Sequence, residues 1–92
     1  MDDELKLRRE MDRALKAKEL FRNPIFEESF DALKAQYEAE WSSTAPKDSD
    51  TRERLYYLTQ ALDAIRSHIK SVLETGTMAE HQIKELHKKS FM

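Results

Sequence analysis

Leu55, Leu58, Leu62, Ile65, Ile69 and Val72 recur at alternating spacings of three and four between Thr51 and Thr75. Side chains at those intervals fall on one side of an α-helix, so the stretch predicts a long helix with the seam of a bundle or coiled coil. A seam this long has to be covered. Twenty-five residues at 1.5 Å each give about 38 Å, against roughly 28 Å for the helix expected before it. That neighbour cannot cover the seam alone, so the first helix, the last helix or a second subunit must cover the rest. The same rod carries a second, quieter face of Tyr57, Ala61, Ala64 and His68. Its small residues admit another helix at close range, and this face is read as an oligomer interface.

The remainder of the chain reads as shorter helices around that rod. Residues 2–22 form a first helix, with Asp2, Asp3 and Glu4 in the turn where the helix dipole favours negative charge. Asp2–Lys6, Glu4–Arg8 and Asp12–Lys16 are acid-before-base pairs four residues apart. Asn23-Pro24 is a start signal for a second helix over about 24–42. Its inner stripe is Phe26, Phe30, Leu33, Tyr37 and Trp41. Ser43–Ser49, with Pro46, is a loop. Asp50 with Glu53 forms a capping-box-like start for the long helix, expected over 51–75. Gly76, the only glycine, sits where a left-handed C-terminal residue is wanted. Thr77 with Glu80 then starts a last helix over 77–89, leaving an apolar Phe91-Met92 tail that could fray or dock.

Ninety-two residues make one domain, 1–92. A chain this short buries only roughly 60–65% of the surface it exposes when unfolded. With more apolar stripe than four short helices can hide, a homo-oligomer is expected, most simply a dimer. The fold class is all-α: an antiparallel helical hairpin within a small bundle of about four helices around one long central helix. Its hairpin core should hold Phe26, Phe30, Leu33, Tyr37, Trp41, Leu55, Leu58, Leu62, Ile65 and Ile69.

Net charge is −2, but residues 23–50 hold two basic and seven acidic side chains. Glu27, Glu28, Asp31, Glu38 and Glu40 decorate that acidic helix as candidates for contact with a basic partner. The first helix holds seven basic side chains, but six acids interleave with them, so direct nucleic-acid contact is not expected. Arg52, Arg54, Tyr56 and Tyr57 are a better phosphate-facing cluster, yet Asp50 and Glu53 among them favour capping. His81 and Glu85 lie four apart, without the further ligands a metal needs. No serine is framed as a nucleophile and no glycine-rich loop cradles phosphate. No catalytic residue, cofactor or metal is therefore assigned, and an enzyme is not expected. No cysteine is present, which fits a reducing compartment. No apolar run approaches the length of a membrane span, and the acidic N-terminus is no secretory signal.

Three stretches resemble small helical proteins of tailed phages and prophages. They are Asn23-Pro24-Ile25-Phe26-Glu27-Glu28-Ser29-Phe30 through Trp41, Asp50-Thr51-Arg52-Glu53-Arg54-Leu55-Tyr56-Tyr57, and Leu73-Glu74-Thr75-Gly76-Thr77-Met78-Ala79. The resemblance implies a phage accessory protein acting in the bacterial cytoplasm or the particle. Two functions follow as expectations. One is a non-catalytic interaction module serving structure, assembly or packaging, with a phage or host protein as partner. The other is an inhibitor of a host defence nucleoprotein, anti-CRISPR-like, whose acidic helix occupies a nucleic-acid-binding surface. A DNA-binding regulator is a third reading.

Overall fold

In the computed structural model, residues 2–90 are described, with the side chains of residues 3–89. The expected Asp2–Lys6 pair and the Phe91-Met92 tail lie outside the described residues. Three helices account for most of the rest: α1 (Asp2–Arg22), α2 (Pro24–Ser43) and α3 (Ser49–Ser90). No strand occurs among the described residues, so the protein is all-α. Two compact units are built from these helices. One combines α1 with α3 from His68 onward, and the other spans Asn23–Ser67.

The four expected helices are three, because the long helix does not stop at Gly76. α3 continues for 42 residues. No glycine has a positive φ, so Gly76 is not a left-handed cap. Its missing side chain serves packing instead. A Cβ placed there would collide with Cβ of Ala14 and lie 2.9 Å from the backbone oxygen of Glu10. Gly76 is thus a point where α1 approaches α3 too closely for a side chain, the use of glycine that close approach requires. Ala14, Ala17, Ala79 and Ile83 are buried in the same unit. Thr77, expected to cap a new helix, turns its hydroxyl back and donates to Leu73 O at 3.1 Å. That bond is the alternative open to a threonine inside a helix.

The first turns of α1 and the last turns of α3 are joined by a side-chain contact. Glu4 Oε1 accepts from Arg8 Nη2 at 3.0 Å and lies 3.0 Å from His87 Nε2. The hydrogen bond with His87, followed by that from Arg8, holds the Glu4 carboxyl below its ordinary range. The expected Asp12–Lys16 pair forms at 3.1 Å, and Glu80 pairs with Lys84 at 3.2 Å.

In the other unit, Asn23 caps α2 as its sequence suggests, with Oδ1 accepting from Ile25 N at 2.9 Å. At the far end, Thr44 N–H donates to Trp41 O at 3.1 Å. A tight turn, closed by Asp48 N donating to Ala45 O at 2.9 Å, leads into α3. The cap of α3 is Asp48, two residues earlier than the expected Asp50. Its carboxylate accepts from Thr51 N at 3.2 Å. Asp50 occupies the first turn instead, where the helix dipole favours a negative charge.

Contacts between α2 and the start of α3 follow a simple order. Glu27 pairs with Arg66 at 3.3 Å, Lys34 with Asp63 at 3.8 Å, and the Arg52 guanidinium lies 5.3 Å from the centre of the Trp41 ring. Along these three contacts the residue numbers rise on α2 as they fall on α3. Of the expected core residues only Leu55 is buried, at 4% exposure. Phe26, Phe30, Tyr37, Leu62 and Ile69 are half-buried, while Leu33, Trp41, Leu58 and Ile65 are exposed. No residue of α2 is buried. The physical reason is coverage: α2 meets α3 along one line of contact, and each helix keeps the flanks of its apolar stripe open.

Candidate interaction surface

At about 100° per residue around a helix, the paired residues divide the α2–α3 unit into two flanks. Lys34 and Asp63 lie on one flank, with Glu27 and Arg66 beside it. Asp31 and Glu38 project to the same side of α2. Here also Tyr37, Trp41, Leu55 and Tyr56 line a small cavity of about 220 Å³. Arg52 closes the neighbouring turn, stacking on Trp41 and donating from Nε to Thr44 Oγ1 at 2.8 Å. Exposed ion pairs such as these contribute at most about 1 kcal/mol each, so this flank is ordered by charge more than strengthened by it.

The other flank is apolar. Leu33 of α2 and Leu58 and Ile65 of α3 fall on it, at 38, 39 and 52% exposure. Leu62 lies half-buried between them. Around the outer side of α3 the surface continues through Ala61 to Tyr57 and Ala64, and Tyr57 is 61% exposed. Between Tyr56 and Ile65 the sole charged residue is Asp63, which belongs to the opposite flank. Tyr57 donates its hydroxyl to Glu53 Oε1 at 3.2 Å, and the carboxylate raises the Tyr57 hydroxyl above its ordinary value.

The expected site residues therefore separate. Tyr57, Ala61 and Ala64 are all exposed along one edge of α3, and His68, also exposed, is the first residue of α3 in the other unit. Of the acidic candidates, Glu28, Asp31 and Glu38 are exposed. Glu27 is half-buried and engaged by Arg66. Glu40 accepts from Gln36 Nε2 at 3.1 Å on the opposite side of α2. The five do not make one acidic patch. Leu33, Leu58 and Ile65 were expected in the core; a stripe shows which side of a helix is apolar but not how far one neighbour reaches across it.

Among the described residues no three histidine, aspartate or glutamate side chains converge as metal ligands. No described helix is long and apolar enough to cross a membrane. What the arrangement offers chemically is apolar contact area at Leu33, Leu58 and Ile65. The chain matches no family model, no curated protein and no solved structure.

Proposed function

We propose that this chain is a non-catalytic protein–protein interaction module, built as an antiparallel helical hairpin and acting as a structural, assembly or packaging accessory of a tailed phage. The observation that carries the interaction reading is the uncovered apolar flank, on which Leu33, Leu58 and Ile65 remain exposed. A run of apolar side chains rimmed by polar ones marks an association surface. The phage setting, in the bacterial cytoplasm or the particle, rests on the resemblance of the three sequence stretches alone. The partners are a second copy of the chain and a phage or host protein.

A second reading is favoured by Glu28, Asp31 and Glu38, which are exposed on α2. It is inhibition of a host nucleoprotein whose basic groove accepts this acidic side. Affinity purification of the tagged chain from phage-infected bacteria, followed by identification of what co-purifies, tests both. The assembly reading expects a virion or packaging protein, retained when Glu28, Asp31 and Glu38 are changed to lysine and lost in Ile65→Glu. The inhibitor reading expects the opposite pattern and binding that weakens with salt. Retention of the same partners by both variants refutes both.

A further inference from the structure

Resting on the interaction reading above, we infer that a second copy of this chain covers the apolar flank, with the two α3 helices antiparallel about a two-fold axis at Ala61. The area fits. Leu33, Tyr57, Leu58 and Ile65 together leave exposed the equivalent of nearly two whole residues, on the order of 350 Å². Exposed Ala61 and Ala64 add to that. Half of a standard interface buries about 800 Å², somewhat over half of it apolar. The flank therefore supplies most of the apolar area one half of a stable dimer uses.

The register follows from helix geometry. A two-fold interface is self-complementary, so each contact occurs twice. With Ala61 on the axis, like flanks of antiparallel helices face each other. Leu58 then meets the second copy's Ile65, Tyr57 lies over its Ala64, and Ala61 meets Ala61. Leu33 extends the apolar contact from α2. The small residues fall at the centre, where they permit close approach, and the large ones fall to either side, where they interlock. Asp63, on the opposite flank, stays in water. Other registers along the same edge bring Arg54 against Ile65 or lose the central alanine contact.

The chain has no cysteine, so Ala61→Cys creates a single thiol. Sedimentation of the full chain is expected to show a dimer at micromolar concentration. Mild oxidation of Ala61→Cys should give a disulfide-linked dimer in most of the protein, while Ala35→Cys, on the outer side of α2, should give little. Ile65→Glu should raise the dimer dissociation constant at least tenfold with helical content unchanged. A monomeric wild-type chain overturns the inference, even if its flank captures another protein. A dimer that survives Ile65→Glu, or that Ala61→Cys does not link, overturns it as well. Capture of virion or packaging proteins by the tagged chain is read separately, so failure of the pairing and failure of the interaction reading are distinguishable.

Discussion

Replacing Gly76 with alanine tests the packing of α1 on α3 through the sign of its effect. In an exposed helix interior the change stabilises by about 0.8–1 kcal/mol, because glycine is the poorer helix former. Here the added Cβ meets Ala14 Cβ and the Glu10 backbone oxygen. Neither is the end of a flexible side chain, so the helices must part. Overpacking of this kind costs about 1–3 kcal/mol. Direct overlap with Ala14 Cβ puts the cost in the upper part of that range, at about 2–3 kcal/mol. Subtracting the gain in propensity leaves a net loss of about 1–2 kcal/mol, which for a chain of this size lowers Tm by roughly 4–15 °C. Urea unfolding followed by circular dichroism measures it directly, the midpoint falling by about 1 M. The partner change sharpens the test. Ala14→Gly opens the space the new Cβ needs, so the Gly76→Ala, Ala14→Gly double variant should be more stable than the sum of the two single losses by about 1 kcal/mol or more. A Gly76→Ala protein as stable as the parent, or a double variant showing only additive losses, refutes the close-approach argument.

Leu55→Ala should cost about 2–3 kcal/mol, the lower part of the range for a buried leucine, since half-buried neighbours can relax into the space; denaturant unfolding reads this as a lower midpoint with unchanged slope. Stability should also fall in acid. The Glu4 carboxyl is depressed by His87 and Arg8, and the Asp48 carboxyl is depressed mainly by its hydrogen bonds with Thr51. A depressed carboxyl binds protons less readily folded than unfolded, so its contribution is complete above the ordinary carboxylate range and is lost as pH falls through the folded value. Urea midpoints taken between pH 7 and pH 3 should drop in that acid window, and Glu4→Gln combined with Asp48→Asn should flatten the drop; an unchanged profile in the double variant refutes the assignment.

Much of the helical framework is legible in the sequence because it depends on neighbours three or four residues away. The Leu55–Val72 periodicity announces α3, and Asn23-Pro24 announces α2. Gly76 misleads because its signal is tertiary. A glycine after a long stripe followed by Thr-x-x-Glu is locally a stop and a restart, and only the position of Ala14 across the unit explains why the helix continues. Asp48 and Asp50 are both adequate caps, and the turn closed on Ala45 O decides between them. The acidic candidates divide for a similar reason. Composition counts Glu27 and Glu40 with Glu28, but Arg66 engages the first and helical phase sends the second to the other side. Leu33, Leu58 and Ile65 read as core because periodicity records an apolar side without recording how wide its cover is.

Trp41 is the only tryptophan, and it stands in the α2–α3 unit beneath Arg52. Its emission therefore witnesses that unit alone, whereas far-ultraviolet ellipticity sums over every turn of helix in the chain. Superposing the two melting curves asks whether a rod that belongs to both units makes them cooperate. Coincident curves would mean one transition for the whole polypeptide. A tryptophan signal lost before or after the bulk ellipticity would mean that the shared backbone lets one half come apart while the other holds.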